Sequence, residues 1–230
     1  MQIEILEFVE GAAKAEGITV IIDVFRAFSV ACYAFDAGAA GIIATSGVEE
    51  AFSLREICPG AVLAGERDEK KVEGFDFGNS PTEIIQADLR GKMVIHTTTA
   101  GTQGLVNGTR ADILLTGSFV NAGAIVRYIR SLAPARVSLV AMGYRATISA
   151  EEDLLCAEYI KCGLTGTGEV TDAQVSSLIN SSGRRFFNPD NAVFSPPSDF
   201  FLCTMKDRFD FVLKAVKRPD GNMALMRINC

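Results

Sequence analysis

The chain is expected to fold as a layered α/β/α protein with a mainly parallel sheet, and three observations predict this. Short continuous apolar runs recur along it, polar or glycine-bearing turns follow them, and stretches with helical spacing of apolar residues lie between. Runs that are apolar at every position suit strands covered by helices on both faces.

The elements read in order as follows. "MQIEILEF" at the start alternates like a strand and reads as no signal peptide, so the cytoplasm is the expected compartment. Further strands are expected at "ITVII" (18–22), "GIIA" (41–44), "AVLA" (61–64), "KMVI" (92–95), "DILLT" (112–116) and "RVSLVAM" (136–142). Helices are expected at "GVEEAFSLREI" (47–57) and "EEDLLCAEYI" (151–160). A third helix is marked by Ile125, Tyr128, Ile129 and Leu132, which form one stripe at i, i+3, i+4, i+7. "NSSGRRFFNPDNAVFSPPSDF" reads as a loop, and "FDFVLKAV" with "NMALMRI" reads as a hairpin around "KRPDG". The expected division is a main α/β domain over 1–180, with 181–230 forming a smaller lobe or a returning arm.

Composition bounds the function. The 230 residues are 48% hydrophobic and 22% charged, enough for a sizeable core. A net charge of −6 provides no basic footprint for nucleic acid or an anionic membrane, and no apolar run reaches the ~20 residues of a membrane span. Six cysteines, none in a C-x-x-C pair, read as reduced, buried thiols.

In open α/β sheets ligands bind beyond the carboxyl ends of the strands. The residues found there are Asp23 and Arg26; Gly65, Glu66 and Arg67; His96 to Thr102; Ser118 and Asn121; and Gly143. Glycine and threonine turns offer free N–H groups to an oxyanion, and arginines grip one bidentately. Asp23, Glu66 and Asp76 are hard oxygen donors of the kind Mg²⁺ takes. In "GNSP", Ser80 is expected as an N-cap and Pro81 as the first helical residue. The lone His96 reads as a hydrogen-bonding residue at a strand end. No P-loop, dinucleotide fingerprint or nucleophile elbow is present.

These stretches, "VIIDVFRAFS", "GERDEKKVEGFDFGNSP", "TTTAGT", "GSFVNAGAI" and "EDLLCAE", occur in the order in which the 2-phosphosulfolactate phosphatase (ComB-like) family carries them, and the chain resembles that family over most of its first 165 residues. The resemblance implies a Mg²⁺-dependent phosphatase releasing inorganic phosphate from 2-phosphosulfolactate, a step toward coenzyme M. Carried over, it implies catalytic Asp23, Arg26, Glu66 and Arg67, with metal held by Asp23, Glu66 and Asp76. Asn79, Ser80, Thr98, Thr99, Gly101, Thr102, Ser118 and Asn121 fall on substrate-binding positions, while Glu152 and Asp153 fall on motif positions without an assigned role. Ala100 stands where the family commonly has Asn, and Asp68 turns "GERG" into "GERD". An Asn amide offers donors and an acceptor that Ala lacks. The expected substrate is therefore 2-phosphosulfolactate or a related phosphorylated hydroxy acid. A homodimer is the expected assembly on symmetry grounds.

Three chemistries suit these groups: metal-assisted phosphomonoester hydrolysis by water or through an Asp23 phospho-enzyme; non-catalytic binding of a small anionic metabolite; or a Mg²⁺-dependent lyase or isomerase.

Overall fold

The structure, a computed structural model, describes residues 1–230. Ten strands are present: β1 (Gln2–Glu7), β2 (Gly17–Ile22), β3 (Gly41–Ala44), β4 (Val62–Arg67), β5 (Lys70–Lys71), β6 (Met93–Thr97), β7 (Ala111–Gly117), β8 (Arg136–Ala141), β9 (Phe211–Lys217) and β10 (Met223–Asn229). The helices are α1 (Phe8–Lys14), α2 (Ala27–Asp36), α3 (Val48–Ile57), α4 (Pro81–Ile84), α5 (Gly101–Asn107), α6 (Ala122–Leu132), α7 (Glu151–Thr165), α8 (Asp172–Ser177) and α9 (Pro197–Thr204). Every apolar run expected as a strand is one.

The sheet order is β1-β8-β2-β7-β9-β10-β3-β6-β4-β5. One parallel block comprises β1, β8, β2 and β7, and a second comprises β3, β6 and β4. The C-terminal segment returns as the hairpin β9–β10 and joins the blocks, antiparallel to β7 on one side and to β3 on the other. Three successive antiparallel steps reverse the sense of the second block. Sheet twist counters this: about 20–25° per strand accumulates to roughly 100–125° over the five steps from β2 to β6. The carboxyl ends of both blocks therefore converge.

Alternation along the strands builds the layers. Ile21 and Val140 join the core that holds Phe28, Tyr33 and Leu105 from α2 and α5. Val20, Ile22 and Leu139 face Ile125, Ile129 and Ile160 from α6 and α7. In the second block Ile43, Leu63 and Ile95 meet Ala51 and Leu54 of α3. The inner parallel strands are thus buried on both sides, as their unbroken apolar runs require, whereas β1 at the sheet's edge is only partly buried.

Four details differ from expectation. β4 continues through Gly65–Glu66–Arg67, because Gly65 N–H donates to Phe77 O and Glu66 pairs with Lys71 across a tight turn. Leu132, at the end of the α6 stripe, is exposed where the helix runs past the core. The stretch expected as loop is a run of short 3₁₀ turns that passes into α9 at Pro197. Of the six free cysteines, Cys32, Cys156 and Cys203 are buried, whereas Cys58 and Cys162 are half-buried at helix ends and Cys230 is exposed. No helix is long and apolar enough to cross a membrane.

Candidate active site

Where β2 ends, the chain turns at Asp23 and enters α2. Asp23 N–H donates to Gly117 O, which holds the turn against β7. Its Oδ1 accepts from Ala27 N–H at 3.1 Å, and Oδ2 has no donor in the chain. Burial pushes the Asp23 carboxyl up to about 7, and Glu66 and Glu152 reinforce the shift, while the Ala27 N–H and Arg185 oppose it. Gly101 explains the closeness of the threonine turn: a Cβ there would stand 2.8 Å from Asp23 Oδ2 and 2.9 Å from Ala27 Cβ.

The β4–β5 turn brings Glu66 against that threonine turn. Glu66 Oε1 accepts from Thr99 N–H and Oε2 from Glu69 N–H, both at 2.8 Å. The carboxylate thus pins two loops together. Thr99 Oγ1 is buried without a partner, and the Ala100 and Gly101 N–H groups find no acceptor in the chain. Ala100 lines the pocket with a methyl group. Asn79 closes one wall. His96 Nε2 lies 3.2 Å from Asn79 Oδ1, and burial, with Arg67 second, drives His96 down to about 4, so the ring is neutral and its N–H can donate.

Asp23, Arg26, Glu66, Asn79, Thr98 and Thr99 therefore line one pocket enclosing about 450 Å³, part of it open to solvent. Asp68, Glu69, Gly143, Tyr144, Arg145 and Arg185 complete it. Gly143 needs its φ of +70°, and a Cβ there would stand 2.4 Å from Ile148 O.

Arg26 is buried, and its Nη1 donates to Asp199 Oδ2 at 2.6 Å and to Phe194 O at 2.7 Å. Asp199, fully buried in α9, also accepts from Ser80 Oγ and Thr82 N–H on α4. Arg185 donates Nη1 to Glu69 and Nη2 to Phe25 O, and its guanidinium sits 5.1 Å from the Phe186 ring centroid. Asp153 Oδ1 accepts from Val24 N–H and Oδ2 from Gly143 N–H, which ties the turns after β2 and β8. Burial, with Glu152 and Asp23 beside it, holds the Asp153 carboxyl well above the usual range.

The remaining expected residues lie around the pocket rather than in it. Arg67 donates to Glu66 O, Ser46 O and Thr97 Oγ1, bracing the β4–β6 edge. Asp76 accepts from Leu63 N–H and pairs with Arg55 at 3.4 Å, outside the pocket. Ser80 caps α4, with Pro81 as its first residue. Thr102 Oγ1 donates to Thr98 O. Ser118 Oγ is 2.7 Å from Ser29 Oγ, and Asn121 Oδ1 accepts from Ser118 N–H, so both support the turn beneath Asp23. The residues that the strand-end reading missed are Arg185, Tyr144 and Arg145 in the pocket and Asp199 behind it. Arg185 lies in "GRRFF", part of the expected loop, which follows no strand and so falls outside a reading of strand ends.

A family model described as 2-phosphosulpholactate phosphatase matches residues 4–193. A protein of Bacillus subtilis (strain 168) named "Probable 2-phosphosulfolactate phosphatase" is 33% identical over 210 residues, 90% of this chain and 89% of that protein. Proteins with the same name are 36% identical over 142 residues in Thermotoga maritima and 41% identical over 133 residues in Carboxydothermus hydrogenoformans. Those two matches cover 62% and 57% of this chain, and 60% and 55% of the relatives.

Proposed function

The chain belongs to the 2-phosphosulpholactate phosphatase family and is a phosphoric monoester hydrolase; from that premise we propose that its pocket releases phosphate, with magnesium, from 2-phosphosulfolactate or a related phosphorylated hydroxy acid. The observation that carries this reading is the convergence in one pocket of Asp23 and Glu66 with Arg26, Arg185, Asn79 and the threonine turn. Carboxylates, guanidinium groups and unpaired N–H donors around one hollow suit a phosphoryl group and an attacking water.

The donor set fits magnesium. Asp23 Oδ2 lacks a protein donor, and Glu66 and Glu152 raise the Asp23 pKa through their charge, a negative excess that a cation relieves. Asp23 and Glu66 would hold the ion, because Asp76 is committed to Leu63 and Arg55. Bound there, magnesium supplies charge neutralisation at the phosphoryl oxygens. Arg26 and Arg185 line the same pocket and would supply further N–H donors to those oxygens, as would the Ala100 and Gly101 N–H groups. Asp23 takes the proton of the attacking water. The water oxygen bonds phosphorus as the bond from phosphorus to the ester oxygen breaks, and that oxygen takes up the proton held by Asp23 to become the hydroxyl of the hydroxy acid. Glu66 is less suited to proton transfer, since each of its oxygens already accepts an N–H. Following the family resemblance, we place this activity in a cytoplasmic homodimer on a route toward coenzyme M or a related sulfonate.

The test is a phosphate-release screen over phosphorylated hydroxy acids with Mg²⁺ and with EDTA. Release that needs Mg²⁺ supports the reading. Binding without release assigns the pocket to a sensor, and consumption of substrate without free phosphate points to a lyase or isomerase.

A further inference from the structure

Three arginines line the phosphoryl pocket, and their ion pairs differ in how far water reaches them. Arg26 pairs with Asp199, and both side chains are almost wholly buried. Arg185 pairs with Glu69, at 20% and 21% exposure. Arg145 pairs with Asp68, and these side chains are 51% and 72% exposed. Asp68, the residue that turns the family's "GERG" into "GERD", stands in the β4–β5 turn, and Arg145 stands between β8 and α7, so the pair bridges two loops at the pocket mouth. The Tyr144 ring backs the guanidinium, its centroid 5.5 Å from Arg145 and 5.9 Å from Arg185. Asp68 takes one Nη2 donor, and the other side-chain N–H groups of Arg145 have no acceptor in the chain. An ion pair this exposed contributes little and exchanges partners cheaply, whereas parting Arg26 from Asp199 strands a buried charge. Arg145 is therefore the pocket cation most free to change partner.

We infer that Arg145 determines specificity by releasing Asp68 to grip the acid group, carboxylate or sulfonate, that the substrate carries beside its phosphoryl ester. The inference rests on the phosphatase reading above and assigns a residue to the substrate's second charge. Either acid group offers two oxygens to the guanidinium fork, a fuller match than one Asp68 oxygen on one Nη2. The pocket encloses about 450 Å³, room for more than a phosphoryl group. Asp68 competes with the substrate: it occupies Arg145 between turnovers and repels the incoming acid. A substrate without an acid group leaves the pair closed and gains nothing from Arg145.

Four esters isolate the question: isopropyl phosphate, 2-phospholactate, 2-phosphonooxypropane-1-sulfonate and 2-phosphosulfolactate bear neither acid group, the carboxylate, the sulfonate and both. The kcat and KM for phosphate release with Mg²⁺ are measured on each with wild type, Arg145→Ala and Asp68→Asn. An ester too slow to follow is read from its inhibition constant against 2-phosphosulfolactate. Arg145→Ala is expected to lose at least about tenfold more kcat/KM on an acid-bearing ester than on isopropyl phosphate, mostly through KM. The single-acid ester that loses more names the group that Arg145 grips. Asp68→Asn, whose side chain tolerates the local φ of +51°, should lower KM for that ester by about two- to fivefold. A loss in Arg145→Ala that is equal on all four esters, or no loss, overturns the inference, as does a KM that Asp68→Asn leaves unchanged or raises. If wild type releases phosphate from none of the four, the phosphatase reading fails. Calorimetric affinities of 2-phosphosulfolactate and isopropyl phosphate for wild type and Arg145→Ala then decide the role of Arg145 by the same difference.

Discussion

Asp23 carries a burden that a surface aspartate does not, because burial and the charges of Glu66 and Glu152 hold its pKa at about 7. The folded chain therefore binds a proton that the unfolded chain releases between about pH 4 and 7, so this residue subtracts stability as pH rises through that window. Asp23→Asn is expected to abolish most turnover and to raise Tm by at least about 2 °C at pH 8, with the gain shrinking toward pH 5. His96 works the other way. Its pKa of about 4 lies below the unfolded value, so its contribution is lost as pH falls from about 6.5 toward 4. The two slopes offset each other in wild type, and calorimetric scans of Asp23→Asn should show a steeper loss of Tm between pH 7 and 5. Gly101→Ala tests the same corner sterically: a Cβ within 2.8 Å of Asp23 Oδ2 should cost at least about tenfold in kcat/KM. Wild-type kinetics would show that Asp23 need not sit where it does.

At the scale of elements, α9 matters more than its place late in the chain suggests. Asp199 pairs with buried Arg26 while holding Ser80 and Thr82 at the start of α4. Removing one partner of such a pair strands the other charge, a loss on the order of 3–5 kcal/mol. Asp199→Ala should lower Tm by about 10 °C, and Asp199→Asn, which keeps a polar partner, should lower it less. Equal Tm values for both variants and wild type would mean that the pair carries no net load. This contact also shows where sequence reading stopped. Asp23, Glu66 and the threonine turn were legible because each follows or ends a short apolar run, and a parallel block brings such ends to one edge. Arg185 and Asp199 belong to a tail with no strand periodicity, and only the folded path of 178–204 brings them to the pocket. Asp76 misled for the opposite reason: it sits among site residues in the sequence, yet its carboxylate turns to Leu63 N–H and Arg55.

For the whole molecule, the C-terminal hairpin is the structural surprise. The alternation of strands and helices made the α/β/α layering legible, and "KRPDG" marked a hairpin, but nothing local reveals that β9–β10 sits between two parallel blocks of opposite sense. That pairing is long-range: β7 meets residues about a hundred positions later. Truncation before Phe211 opens edges on β7 and β3 and exposes their apolar faces, so the shortened chain is expected to aggregate or lose its cooperative melting transition. A soluble truncated chain that melts cooperatively would show that the blocks hold together without it.

The convergence of both carboxyl edges on Asp23 is the claim on which the rest depends. Its most direct measurement is the rate of phosphate release from 2-phosphosulfolactate and 2-phosphoglycerate at saturating Mg²⁺ by wild type and Asp23→Asn. The account predicts release by wild type that EDTA stops, and a loss of at least about 100-fold in the variant. Release by Asp23→Asn at the wild-type rate would contradict it.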